Sequence, residues 1–317
     1  MIAVHLESGL INVREVARPA RPEGYAVIRL LVAGICNTDL ELQRGYYGFS
    51  GTPGHEFVGE VVEADSLELV GKRVVGEINL YCGICSWCAR GLGRHCPSRT
   101  VLGIVRHPGA FQEYLTLPER NLHVVPDGIP SRLAVFAEPL AAACEILDQV
   151  AIPSGASVAV LGDGKLGLLV SQVLQANGLK VHQFGRHCSK LAIAERKGVV
   201  TEVVGAHLPL AEYEWVVDAT GSAAGLRTAV GMTMPRGTII LKSTVHGEVP
   251  IDTAPVIVNE ITLVGSRCGR MEPALALLER GAVDVESLIA AEMPLAEAKN
   301  GFARAATAGI LKVLLSA

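Results

Sequence analysis

Val158-Ala159-Val160-Leu161-Gly162-Asp163-Gly164-Lys165-Leu166-Gly167 decides how this chain is read. The first four residues fit a buried strand, and a helix is expected from Lys165 to about Asn177, closed by Gly178. A G-x-G-x-x-G between a strand and a helix has a physical use. Gly162 permits the tight turn, Gly164 lets backbone approach a pyrophosphate, and Gly167 allows close helix–strand packing. The pyrophosphate is expected on the helix N-terminus, which adds Lys165 and Leu166 to the contact candidates.

Downstream, strands are expected at 180–184, 202–204, 215–218, 238–242 and 261–264, with helices at 189–197 and 223–232 between them. Strand and helix alternating at this interval imply βαβ units and a parallel sheet. Sites for NAD usually place a carboxylate about 20 residues beyond the glycines to hold the ribose 2′-hydroxyl. Here the second strand runs into Gly185-Arg186-His187-Cys188-Ser189-Lys190, without one. Arg186, Ser189 and Lys190 suit a 2′-phosphate, so NADP is expected to be preferred over NAD. Thr220, Ser243, Thr244 and Arg267, near the ends of later strands, complete the cofactor-contact candidates.

Upstream the pattern differs. Residues 1 to about 130 are β-rich, with short apolar runs at 26–32, 57–63 and 72–75 separated by turn formers, as in a small, partly open barrel. A helix follows at 138–150, with Pro139 in its first turn. The tail carries helical stretches at 273–280 and 295–306 and a last strand at 312–315. At 317 residues two domains are the default. The composition is globular, and a formal net charge of −4 gives no reason to expect nucleic acid or an anionic membrane as partner. No uninterrupted apolar run reaches about 18 residues, and no basic stretch leads into an apolar one at the start. A cytoplasmic protein is expected.

Eight cysteines in such a chain point to metal rather than disulfides. Cys82, Cys85, Cys88 and Cys96 are spaced C-x2-C-x2-C-x7-C. Four thiolates close a tetrahedral shell around Zn²⁺ and leave no open position, so this site reads as structural. Arg90, Arg94 and Arg99 are available to offset its negative charge. An iron–sulfur cluster uses similar spacings, but nothing else here provides an electron-transfer context. A nucleic-acid-binding zinc ribbon wants two separated CxxC knuckles and a basic face, and neither is present.

A second set is more dispersed: Cys36-Asn37-Thr38-Asp39, Gly54-His55-Glu56, and Glu138 within an apolar stretch. A thiolate, an imidazole and a carboxylate from separate segments suit a three-ligand zinc with an open fourth position. A buried cysteine with a hydrogen-bonded histidine is the plainer reading of the first two, and helix-dipole stabilisation that of Glu138.

Taken together, these motifs resemble the zinc-containing medium-chain dehydrogenase/reductase family along essentially the whole chain. The likeness is carried by Gly34-Ile35-Cys36-Asn37-Thr38-Asp39, Gly54-His55-Glu56-Phe57-Val58-Gly59, the four-cysteine lobe, Glu138-Pro139-Leu140-Ala141, the glycine fingerprint, Val217-Asp218-Ala219-Thr220-Gly221-Ser222 and Lys312-Val313. The resemblance implies a GroES-like β-rich catalytic domain, 1–132 and 270–317 with a zinc lobe at 80–98, and an inserted Rossmann domain, 133–269. It implies two zincs, one catalytic and one structural, and a homodimer or homotetramer. It maps Cys36, His55 and Glu56 onto catalytic zinc ligands and Glu138 onto a glutamate that binds zinc directly or through water. Asp39 becomes the carboxylate that orients the histidine.

The reaction implied is hydride transfer between an alcohol or polyol and NAD(P), with a small alcohol or ketone as the substrate. Thr38 matches a hydroxyl that passes the proton outward. Many relatives end that relay in a histidine where this chain has Glu41, which is the candidate acceptor here. Tyr46, Tyr47 and Phe49 are candidates to line the substrate pocket. Two other readings remain: a zinc-free quinone or enoyl reductase of the same fold, and a non-catalytic NADP-binding protein.

Overall fold

The strand Tyr25–Gly34 organises the N-terminal part of the chain, and its side chains from Ala26 to Ala33 are almost all buried. In the computed structural model, which describes residues 1–205, 208–243 and 249–317, this strand sits within a seven-stranded sheet. The order is Leu122–Val124, Arg73–Gly76, Glu56–Glu63, Tyr25–Gly34, Lys312–Ser316, Ile289–Pro294. The first half of Tyr25–Gly34 also pairs with Tyr114–Pro118, and its second half takes Lys312–Ser316 on that edge. That handover brings the end of the chain into the sheet. The two outer strands do not pair with each other, so the sheet is open.

The chain forms two compact units, 1–138 with 288–317, and 139–287. The sequence reading divides instead at 132/133 and 269/270. The later second boundary has a physical basis, because residues 267–287 are tied to the second unit. Arg270 meets Asp148 at 2.9 Å, Lys242 donates to the Arg267 carbonyl at 3.0 Å, and the Asp284 N–H donates to Gln172 at 2.6 Å. The helix Met271–Glu279 therefore lies in the second unit.

In the second unit six strands pair in parallel, in the order Val200–Val203, Lys180–Gly185, Ser157–Leu161, Tyr213–Asp218, Thr233–Leu241, Thr262–Gly265. Numbered along the chain this is 3-2-1-4-5-6, the doubly wound arrangement expected from the βαβ alternation. Ser157–Leu161 is central, buried on both faces, and leads through the glycine turn into helix Lys165–Ala176.

The helix Asn37–Gln43 was not expected from periodicity. It begins where Cys36 takes the N-cap position and the Asp39 carboxylate accepts the Cys36 N–H at 2.8 Å. Among the described residues no helix is long and apolar enough to cross a membrane.

Candidate metal centre and cofactor turn

Cys36 lies two residues past the end of strand Tyr25–Gly34, and Glu56 begins the neighbouring strand, where Gly34 and Glu56 are register partners. Sheet pairing thus sets the two segments side by side. The absence of a side chain on Gly34 completes the fit, since a Cβ there would stand 2.6 Å from Glu56 Oε2. As a result one donor atom each from Cys36, His55 and Glu56 lies within 4.8 Å of the others. Asp39, fully buried, ties the group together. One oxygen accepts the Cys36 N–H; the other accepts the Gly54 N–H at 3.2 Å and stands 3.4 Å from His55 Nδ1.

Burial works to depress the His55 pKa, but the charges of Asp39 and Cys36 outweigh it and hold the ring well above its usual value. A half-buried thiol with a buried imidazole and a buried carboxylate, drawn together in this way, suits a divalent cation of intermediate softness, which would replace the proton.

Two further charges surround the three donors. Lys312 Nζ donates a short hydrogen bond to Glu56 Oε2 and lies 5.6 Å from the Phe136 ring centre. The sequence reading used Lys312 only as a family marker; its signal was a lone ammonium opening an apolar strand. Glu138 stands outside the three-donor group but near enough to sense it. Burial pushes its carboxyl up to about 7, with His55 opposing and Glu56 and Glu77 adding to the rise.

The relay candidates are placed differently from one another. Thr38 Oγ1 lies 3.8 Å from Cys36 Sγ, beside the donors. Glu41 is paired with Arg44 at 2.6 Å and is not brought into the donor group.

Cys82, Cys85, Cys88 and Cys96 form the other group, with sulfur–sulfur distances of 3.5, 3.6, 3.8 and 3.9 Å. A tetrahedral zinc with bonds of about 2.3 Å requires sulfurs about 3.8 Å apart, so the spacing fits. Amide donors from Ile84 and Cys85 draw the Cys82 thiol down to about 6, while burial and the neighbouring sulfurs push Cys88 up to about 12. Four sulfurs this close cannot all ionise without a cation among them. Of the nearby arginines, Arg94 pairs with Glu77, Arg90 lies over the Trp87 ring, and Arg99 donates to the Cys96 carbonyl.

In the second unit the three glycines stand as their spacing predicts. Gly162 has φ +111°, and a Cβ on it would meet the Ala219 carbonyl. A Cβ on Gly167 would strike the Gly162 carbonyl oxygen, whereas Gly164 faces open space. Lys165 and Leu166 form the first turn of a helix without a side-chain cap. Arg186 and Ser189 are exposed beyond Gly185, and Lys190 is half-buried. Thr220 is exposed and donates to Asp218, Ser243 is half-buried, and Arg267 is exposed. Thr244 lies outside the described residues.

One residue corrects the reading of this loop. No carboxylate follows the second strand in sequence, but Asp163, from the glycine turn, is delivered there in space. It accepts the N–H groups of Arg186 and His187 at 2.7 Å and meets His187 Nδ1 at 2.8 Å. Burial raises its pKa, but these donors prevail and hold it below the usual carboxylate range.

Comparisons with known proteins agree with this architecture. Residues 22–127 match the alcohol dehydrogenase GroES-like domain and residues 166–280 the zinc-binding dehydrogenase domain. D-altritol 5-dehydrogenase of Agrobacterium fabrum is 31% identical over 310 residues, covering 92% of each chain. Sorbitol dehydrogenase of Halalkalibacterium halodurans is 27% identical over 98% of this chain and 96% of its own. A Sinorhizobium meliloti 1021 protein assigned as a zinc-binding dehydrogenase and crystallised with NADP superposes with a TM-score of 0.90. It is 29% identical, over 100% of this chain and 99% of its own. The chain belongs to the zinc-containing medium-chain dehydrogenase/reductase family, among its NAD(P)-dependent alcohol and polyol dehydrogenases.

Proposed function

We propose that this enzyme interconverts a secondary alcohol of a small polyol-like substrate and its ketone, with NADP preferred over NAD. The observation that carries the reading is the convergence of Cys36, His55 and Glu56 around the buried Asp39. In the oxidative direction the carbinol carbon gives up a hydride and its oxygen a proton, leaving a ketone, reduced nicotinamide and H⁺. When bound, zinc supplies a Lewis acid that acidifies the alcohol, and the nicotinamide supplies the hydride acceptor.

The chain's own residues divide the remaining work. Cys36, His55 and Glu56 serve as ligands, and Glu138 contributes a further carboxyl directly or through water. Asp39 fixes the histidine ring and the Cys36 backbone. Thr38 receives the proton leaving the substrate, and Glu41 takes it onward to solvent. The four-cysteine lobe holds a second, structural zinc.

The cofactor preference is supported by Arg186, Ser189 and Lys190. Asp163, the carboxylate delivered to this loop, is already engaged by two amides and His187, so its charge is offset. The Sinorhizobium meliloti relative carries NADP. Self-association as a dimer or tetramer is supported by the open edge of Thr262–Gly265, with Leu263 exposed and Ile257 and Val258 largely bare nearby. A cytoplasmic location is supported by free thiols that must stay reduced to hold metal.

Metal analysis and a panel of polyols and ketones assayed with NADP and NAD test the proposal together. Two zincs per chain and turnover of a secondary alcohol are expected. A zinc-replete protein that oxidises no polyol and reduces no ketone defeats it, and one zinc per chain favours the zinc-free reductase.

A further inference from the structure

A cavity of about 770 Å³ opens in the first unit, walled by the loop 47–52 and the segment 97–108. The two walls are stitched together directly before the metal candidates. Gly109 N–H donates to the Thr52 carbonyl at 2.7 Å, Ala110 N–H to Gly54 at 2.8 Å and Phe111 N–H to Pro53 at 3.1 Å. A Cβ on Gly103 would run into the Gly54 carbonyl. The backbone of the first wall thus runs on from Thr52 through Pro53 and Gly54 into His55 and Glu56.

The charge on that wall is one-sided. Arg99 and Arg106 line the cavity, beside His5 and a His107 whose pKa burial lowers, and its described lining contains no Asp or Glu. Tyr47, Ser50 and Thr52 add hydroxyl groups. In a chain with net charge −4, such segregation of cations is not the average surface. Several arginines of this unit meet carboxylates, Arg14 with Glu7, Arg18 with Glu63, Arg21 with Asp65 and Arg29 with Glu60, whereas Arg73 and Arg120 spend their donors on backbone carbonyls. Among the described residues Arg99 and Arg106 meet no carboxylate. Arg99 donates Nη1 to the Cys96 carbonyl, and Arg106 donates Nη2 to the Arg99 carbonyl. The Nε of Arg99 is buried and without a partner. A buried guanidinium donor left unmatched is costly, and a planar anion is its natural complement.

We infer that the substrate is a polyhydroxylated anion, an aldonate or a polyol phosphate, whose charged group is held by Arg99 and Arg106 in this cavity. The inference rests on the dehydrogenase reading for the reaction but not for the anion site. The described lining lies within the first unit, so these cations are distinct from Arg186 and Lys190 on the cofactor turn. Hydroxyls from Tyr47, Ser50 and Thr52 provide partners for the substrate's own hydroxyls.

The test compares D-glucitol with D-gluconate and D-glucitol 6-phosphate, on the zinc-loaded enzyme with saturating NADP⁺. One or both anions should exceed the neutral polyol in kcat/KM by about tenfold or more, as a charge-assisted contact provides. Which of the two does so separates carboxylate from phosphate. Arg106→Gln should erase that advantage and leave glucitol within about twofold, while Arg106→Lys should restore part of it. In parallel, inorganic phosphate added with NADP⁺ present should raise the melting temperature of the wild type and not of Arg106→Gln. That arm reads the site without turnover. Phosphate stabilisation lost in the variant, with no turnover of any compound, would retain the anion site and remove the dehydrogenase reading. Glucitol matching or exceeding both anions, or an Arg106→Gln enzyme that keeps the anion preference or the phosphate shift, would overturn the inference. Arg106 is exposed, so its replacement spares the fold; Arg99 is held back because it braces the cysteine lobe.

Discussion

Lys312 and Glu56 form an ion pair with side chains only 2% and 1% exposed, 256 residues apart in sequence. The pair joins the last strand of the chain to the strand that begins at the candidate metal ligands. It also gives Glu56 two claims on its carboxylate, an ammonium and a cation. Replacing Lys312 with Met would leave that carboxylate buried and unpaired, a loss of about 3–5 kcal/mol when one partner of such a pair is removed. Urea denaturation of the chelator-treated variant should show this loss, and added zinc should recover more stability in the variant than in the wild type. Equal stability of the two chelated proteins would mean that the pair contributes nothing.

Gly34 offers a sharper probe of the same carboxylate. A methyl group there would press on Glu56 Oε2 and stand 3.4 Å from Lys312 Cδ. Gly34→Ala should therefore displace the carboxylate, lowering catalytic zinc occupancy and reducing turnover by about tenfold or more. The structural zinc should remain, so total zinc falls from two toward one per chain. Unchanged metal content and turnover would show that Glu56 is not a ligand.

These contacts mark the limit of what the sequence can be made to say. The strand–turn–helix at Ser157–Leu161 and Lys165–Ala176 was legible almost to the residue, because glycine chemistry and apolar periodicity coincide there. The four-cysteine lobe was legible because its ligands lie within 15 residues and their spacing is itself the geometry. Lys312 beside Glu56 was not, since their meeting depends on sheet pairing between distant strands. Asp163 was hidden for a related reason. It sits inside the glycine turn, and only the fold carries it to the end of the second strand. Helix Asn37–Gln43 is too short for periodicity to reveal, although Cys36 and Asp39 stand in N-cap and N3 spacing.

Asp163 sets a pH dependence with a definite sign. Its folded pKa lies below the usual carboxylate value, so its stabilising effect is present above about pH 4 and is lost as pH falls through the folded pKa. Asp163→Asn should lower stability at neutral pH and flatten the acid limb of a stability–pH curve. The same variant loosens Arg186 and His187, so the KM for NADP should rise. Arg186→Ala should raise the KM for NADP by about tenfold and leave that for NAD nearly unchanged. An Arg186→Ala enzyme whose two cofactors are equally affected would remove the proposed 2′-phosphate contact.

Cys96 is the buried member of the four-cysteine group. Cys96→Ser should cost one zinc per chain, measured by elemental analysis, and the lobe from 80 to 98 should become susceptible to proteolysis. The catalytic zinc should persist, since Cys36, His55 and Glu56 lie in other segments. Because thiols must shed protons to bind metal, zinc retention in the wild-type lobe should weaken as pH falls. A Cys96→Ser protein with full zinc content would mean that this cluster holds none.

Thr38 is the relay candidate that the structure sets beside the donors, 3.8 Å from Cys36 Sγ, while Glu41 is held by Arg44. The two should therefore respond unequally. Thr38→Val keeps the shape and removes the hydroxyl, so kcat should fall by about a hundredfold with little change in KM, the usual scale for losing a positioned proton carrier. Glu41→Gln should act more weakly, slowing turnover mainly at low pH, and Arg44→Gln should shift the same limb by freeing the carboxylate. The pH profiles of kcat for the three variants separate these roles. If Thr38→Val turns over like the wild type, the proton leaves by another route, and neither Thr38 nor Glu41 belongs to it.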